Sequence, residues 1–464
     1  VLEALYATEA GPAGAPSPPV EDSLGVSEVA PRPRTRAPVD SAWAAGLRRE
    51  LYEELALDGP APGGRSTLTI RTGLRSDFQV DTGGHSRLRE TLRLELGADL
   101  TRWLCIFESI EMDTHGERDS DFSGQRWRDA LTARVDRAGI AVDTKHFGLL
   151  AGRSASRWGE GDPGGLLLSP ASPPLDLVRV RFDLGIARLA SQFSALDAEN
   201  DPAPDSLPSE KRYFSAHRLS LRLVPALDIG ISESIVYGGV NRGLEAFYLN
   251  PLLLFYAEQW NHFESDNVLW GADVFWTPAA GRALKAELLV DDFQFDLETE
   301  PHQIGWTVGG EWGFGAKSLP ILAAAEYTRI ETFVYGHSIA RNRYTNEGVG
   351  LGHPLGPDAD RIAATLTCDP SENMTMAVAA EHARHGAQTI DTAQDVANPK
   401  GLGFPSPPVD ERTTIDASIS WRPRVTRRLD ARIAYASGGE EPSGWSGSIA
   451  ATFRLDHRFV IGNE

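Results

Sequence analysis

From Ser66 onward, hydrophobic side chains recur at every second position, and the pattern hardly breaks before Phe459. Leu68, Ile70, Leu74, Phe78 and Val80 stand opposite Thr69, Arg71, Arg75, Asp77 and Gln79. Leu88, Leu92, Leu94, Leu96 and Ala98 stand opposite Arg89, Arg93, Glu95 and Asp99, and Val268, Trp270, Ala272, Val274 and Trp276 opposite Asn267, Gly271, Asp273 and Thr277. A period of two marks β-strands with one apolar and one polar face. The same division recurs through Val178–Ile186, Leu219–Leu223, Ile304–Phe314, Met374–Val378, Ile415–Trp421, Leu429–Tyr435 and Ile449–Leu455. Two places fit poorly: around Trp103–Met112 both faces are mixed, and Glu233 falls on an otherwise apolar face.

Alternation alone suits a soluble sandwich as well as a membrane barrel, but the connections separate the two. Links such as "VPAL", "TPAAGR", "GAKSLP" and "DPSEN" are short, and they alternate with long ones over 113–126, 150–177, 196–212, 238–266, 334–360 and 383–411. Tight turns at one end and long loops at the other are the asymmetry of an outer-membrane barrel. The expected fold is all-β: a transmembrane antiparallel up-and-down β-barrel of about 18 strands over 66–459, with inward-folded or capping loops and both termini periplasmic. Trp270 and Trp276 then face lipid, with Trp276 near the periplasmic headgroups. The last strand ends on aromatic Phe459, as outer-membrane strands do.

The first 38 residues are rich in Pro, Ala and acidic side chains and read as a flexible arm. Residues 39–60 follow as a short amphipathic periplasmic helix, with Trp43, Leu47, Leu51 and Leu55 on one face and Gly59 and Pro60 at its end. No stretch approaches the ~20 apolar residues of a spanning helix. Nor does the start have the charged and apolar regions of a signal peptide, so the expectation is an outer-membrane protein of a Gram-negative-type bacterium whose signal has been removed. The 65 acidic residues against 45 basic ones, a net charge of -20, argue against nucleic acid as a partner. Cys105 and Cys368 are too far apart in sequence to suggest a disulfide framework or a zinc site.

On this barrel the lumen carries Arg71, Arg75, Arg89, Arg93, Arg134, Arg179, Arg181, Arg218, Arg222, Arg428 and Arg432, with Asp77, Glu95, Asp183, Glu287, Asp291, Glu326 and Asp416. Such a lumen either conducts or closes itself through ion pairs. Motifs for nucleophilic hydrolases, zinc proteases and phosphate loops are lacking, so neither enzyme activity nor a cofactor is expected. His382 and His385 fall on opposite faces of a strand, as do Asp291 and Asp292.

Two loops stand apart. One, "LAGRSASRWGEGDPGGLLLSPASPPLDL", joins Arg153, Arg157 and Trp158 to a Gly-rich bend and an apolar tip. The other, "LEAFYLNPLLLFYAEQWNHFES", holds Tyr248, Asn250 and Trp260 and is too apolar for a solvated loop. Both are expected either to fold inward and plug the lumen or to form a sugar-binding surface, with rings stacked on pyranose faces and polar groups on hydroxyls.

"GRSASRWGEGDPGGLLLS", "YLNPLLLFYAEQWN", "SDNVLWGADVFW" and "ELLVDDFQFD", in that order, resemble the Wzi family of outer-membrane proteins of capsule assembly. The resemblance implies a plugged barrel of approximately eighteen strands with a lectin-like role in attaching capsular polysaccharide. It marks Arg153, Trp158 and Gly159, then Asn250 and Pro251, then Asp266, Asn267, Asp291 and Asp292 as signature positions. The N-terminus departs from the family, having one helix and a Pro-rich arm in place of a larger periplasmic helical part. The expected partners are surface polysaccharide, outer-membrane lipid and lipopolysaccharide, and a protein reached through the arm. Two other functions suit the same sequence: a small-solute channel, cation-preferring if it conducts, and a membrane anchor for another surface or periplasmic protein.

Overall fold

Residues of one parity cannot all find a protein core in so long a run of strands, and the chain resolves this by closing on itself. The computed structural model describes residues 66–101, 103–114, 125–128, 131–198, 211–239, 242–262, 266–292, 302–316, 319–392, 403–424, 426–439 and 443–461. The expected arm at 1–38 and helix at 39–60 lie outside the described residues. The barrel strands begin with β1 (Ser66–Asp81), β2 (Ser86–Thr101), β3 (Leu104–Asp113), β4 (Leu131–Asp143), β5 (Phe147–Ser154) and β6 (Leu175–Asp183). They continue with β7 (Ala187–Leu196), β8 (Lys211–Val224), β9 (Leu227–Gly239), β10 (Asn267–Ala279), β11 (Arg282–Asp292) and β12 (Gln303–Ala316). The last six are β13 (Leu319–Ile330), β14 (Ala359–Ser371), β15 (Met374–His385), β16 (Asp410–Arg424), β17 (Arg427–Gly438) and β18 (Gly444–Ile461).

Each strand pairs antiparallel with the next, and β1 pairs with β18 from Ser66↔Ile461 to Asp81↔Ser446, which closes an eighteen-stranded barrel. Closure removes the free edges that an open sheet would expose. A nineteenth segment, Gln125–Arg128, pairs only with the first residues of β4. The loops sort by end as expected, although the links after β1 and β17 are short on the long-loop side as well.

The apolar parity points outward. Leu74, Phe78, Ile231, Trp276, Trp312, Phe314, Ile362, Leu366, Trp421, Ile449 and Phe453 are all exposed on the outer wall. The polar parity points inward and is cross-linked. Arg71 bonds Glu95 and Asp456 at 3.2 and 2.9 Å, and Arg218 bonds Asp273 through both oxygens at 2.6 and 2.8 Å. Arg181 reaches Asp143 and Asp183, Arg222 reaches Asp228, and Arg93 and Arg134 share Glu111 and Asp136. Charge-assisted bonds of this kind hold neighbouring strands in register and fill the space between them.

Both misfits in the sequence have structural reasons. In β3 the register shifts at Ser109/Ile110, where two residues of β4 oppose one, while Phe107 turns inward to a buried apolar cluster. Glu233 does face outward, and it is covered there by a loop described below.

Candidate functional site: the plug and the extracellular rim

Residues 155–174, between β5 and β6, descend into the lumen. Their apolar tip, Leu166, Leu167 and Leu168, is buried together with Trp158, and the backbone N–H of Trp158 donates to Leu168 O at 3.1 Å. Removing these side chains from water stabilises the folded-in loop by roughly 1.5–3 kcal/mol each. A polypeptide inside a barrel must also satisfy its N–H and C=O groups, and two inward carboxylates do so. Glu287 of β11 accepts from the N–H of Gly161 and, at 2.7 Å, from that of Leu166. Glu326 of β13 accepts from the N–H of Asp162 at 3.0 Å, and Lys285 pairs with the same carboxylate at 2.6 Å. Gly159 is required here: its φ is +119°, and a Cβ would lie 2.5 Å from the Glu287 carboxylate.

A second loop, 331–358, locks over the first. Tyr335 donates its hydroxyl to Leu166 O at 2.5 Å and Tyr344 to Leu167 O at 2.9 Å, with the two rings stacked 5.7 Å apart. Burial pushes both phenols well above their ordinary pKa, so each remains a protonated donor. Arg212, fully buried at the top of β8, donates to the carbonyls of Arg341, Arg343 and Thr345. Asp358 ties in the 386–392 and 403–409 segments, accepting from Gln388 N, Ser406 N and the Thr332 and Ser406 hydroxyls. His353 is buried against Asp162 O, and burial pushes its pKa down to about 4.

The candidate residues divide among three places. Arg157, Trp158 and Asp291 serve the plug. Arg157 donates to Gly161 O and Pro163 O, Trp158 is 1% exposed, and Asp291 accepts from Tyr335 N at 2.6 Å. At the rim, Arg153 pairs bidentately with an exposed Asp176 at 2.9 Å, Asn267 donates to Asn342 O at 3.0 Å, and Asp292 is exposed at the end of β11. Tyr248, Asn250, Trp260 and Asp266 belong to the 240–266 loop, where Tyr248 is 2% exposed and donates to Asp266 at 2.9 Å. Asn250 is exposed, and Trp260 sits in the helix α1 (Phe255–His262). Asp266 is also held by Arg242.

This third group corrects an expectation, because the described part of that loop, residues 242–262, does not turn inward. It packs on the outer wall, where Tyr248 and Phe255 cover the outward-facing Ile235, Tyr237, Phe193, Tyr213 and Val268. Those outward rings offer it an apolar surface, whereas the lumen wall beside it is ion-paired at Arg218 and Asp273. Trp158 and Tyr248 thus present no open ring face for a sugar, whereas the rim presents charged groups at Arg153, Asp176 and Asp292. Sequence reasoning missed Arg212, Tyr335, Tyr344 and Asp358, as well as the pair of a mostly buried Arg343 with the exposed Asp391. Their partners lie many tens of residues away, beyond the reach of any local pattern.

The profile of the family described as "Capsule assembly protein Wzi" matches residues 64–438. Among solved structures the chain is similar to Wzi of Escherichia coli, described as an outer membrane protein involved in group 1 capsule assembly and a carbohydrate binding beta-barrel. The TM-score is 0.61 at 16% identity, over 90% of this chain and 89% of that one. It is also similar to OccD3 (OpdP) of Pseudomonas aeruginosa, with a TM-score of 0.50 at 10% identity, over 86% and 93% of the two chains. At such identities the likeness is one of fold. Among curated proteins none matches this chain.

Proposed function

The chain belongs to the Wzi capsule-assembly family, and on that premise we propose that it is a non-enzymatic outer-membrane barrel that holds surface polysaccharide at its extracellular rim. The observation that carries this reading is the strapped plug. Glu287, Glu326, Arg212 and Asp358 fix the inserted loops from several strands at once, so the extracellular end is a preorganised surface. That surface offers guanidinium and carboxylate groups from Arg153, Asp176, Arg343, Asp391 and Asp292, the chemistry that satisfies sugar hydroxyls. E. coli Wzi, which shares the fold, is described as carbohydrate binding.

Arg153→Ala and Arg343→Ala test the proposal. In purified, folded protein each is expected to weaken binding of the host's surface polysaccharide severalfold while leaving the unfolding midpoint within error. Unchanged binding in the double variant would remove the rim from the reading.

A further inference from the structure

The external loop lies lower on the barrel wall than an extracellular loop should. On β9 the outward positions run Leu227, Ile229, Ile231, Glu233, Ile235 and Tyr237, and on β10 they run from Trp276 up to Trp270 and Val268, with Leu227↔Trp276, Glu233↔Trp270 and Ile235↔Val268 in register. Trp276 marks the lower edge of the apolar wall, and Trp270 is six residues above it. At ~3.3 Å per residue and a tilt near 40° that is a height of ~15 Å, in an apolar belt ~25 Å tall. Ile235 and Val268, two residues higher, therefore stand in the upper part of the belt, and Tyr237 at its upper edge. Ile235 and Tyr237 are 0% exposed because residues 244–262 cover them, while Ile231, lower on the same strand, is 55% exposed.

Two further features fit a segment lying in lipid. Its polar contacts with the wall are closed except at His217 Nδ1, which is buried without a partner. Glu233 accepts from the N–H groups of Phe255 and Tyr256 at the start of α1 and from Trp270 Nε1, and it pairs with His217. Asp266 is held by Arg242 and Tyr248, and Gln259 donates to Asp266 O. Backbone and charged groups tolerate hydrocarbon only when satisfied in this way. The surface turned away from the wall is mainly apolar: Leu252 is 79% exposed, Leu254 64%, Tyr256 43% and Leu249 38%, and the exposed amides of Asn250 and Asn261 bond within the segment, to Leu252 N and Glu258. This face continues the bare apolar wall beneath it, at Trp270 and Ile231.

We propose that residues 244–262 form a flap seated in the outer leaflet, with Leu249, Leu252, Leu254 and Tyr256 in contact with lipid acyl chains. The flap turns the barrel's outer wall into a two-layered structure on one side, with a buried Glu233–His217 pair between the layers. The inference depends on the barrel being in the membrane and is independent of the polysaccharide reading.

Nitroxide labels test it in the whole protein reconstituted into lipid bilayers. In a Cys105→Ala, Cys368→Ala background, Leu252→Cys and Leu254→Cys are labelled separately, with Ile231→Cys as a lipid reference and Asp391→Cys as an aqueous one. Collision with oxygen and with a water-soluble nickel chelate is measured for each, after retained heat-modifiable gel mobility shows folding. Both flap labels are expected to favour oxygen over nickel as the Ile231 label does, at a shallower depth. Nickel accessibility like that of the Asp391 label would overturn the proposal. So would exclusion of both reagents with spin–spin broadening, which would place a second copy of the chain on this face. The two flap sites are independent, so one folded variant suffices.

Discussion

Replacing Glu287 by Ala removes the acceptor for two plug amides at once. In the native protein the carboxylate is buried and receives the N–H groups of Gly161 and Leu166. Without it two buried N–H donors are left unsatisfied at about 1–3 kcal/mol each, so the expected loss in the free energy of plug opening is about 3 kcal/mol, within a range of about 2–6 kcal/mol. At about 1.4 kcal/mol per factor of ten, amide hydrogen exchange over residues 159–168 should speed up more than a hundredfold, while exchange in β1 and β18 on the far wall stays unchanged. Mass-spectrometric exchange on protein in detergent micelles reads this directly. Exchange across 159–168 that stays at the native rate would refute the assignment of Glu287 as the strap.

Three further outcomes follow from the same geometry. Gly159→Ala, which forces a Cβ against Glu287 at φ +119°, should destabilise by about 2–4 kcal/mol in urea titration, whereas Gly84→Ala, at φ +76° in open space, should cost only about 1 kcal/mol. His353, with its pKa pushed down to about 4 by burial, gives stability that is fully present above pH 6.5 and lost as pH falls toward 4. That loss is up to about 3 kcal/mol, and His353→Gln should flatten this part of the stability profile; an unchanged slope would exclude His353 as its source. Tyr335→Phe and Tyr344→Phe should each cost about 1–2 kcal/mol by orphaning a plug carbonyl while keeping the stacked rings, as measured by shifts in unfolding midpoint.

The barrel was legible in the sequence because lipid on one side and a polar lumen on the other impose the same two-residue period on every strand. Leu74, Trp276 and Ile449 could be assigned outward, and Arg71, Arg218 and Asp273 inward, from parity alone. The plug was legible only as a composition, an apolar tip on a Gly-rich bend, and nothing local says that Tyr335 and Tyr344 cap it or that Arg212 holds its cover. Glu233 shows where parity misleads. It is a charged residue on the apolar face because a distant segment, at Phe255 and Tyr256, supplies its hydrogen-bond donors. The placement of the 240–266 loop followed from competition between two surfaces, an ion-paired lumen and an aromatic outer wall, which becomes visible only once the barrel is closed.

Deleting the gene in the host and measuring cell-bound against released surface polysaccharide asks whether this barrel holds polysaccharide at the cell surface. Polymer should move from the cells to the medium with total synthesis unchanged, and the wild-type gene should restore attachment. An unaltered partition between cells and medium would contradict the claim.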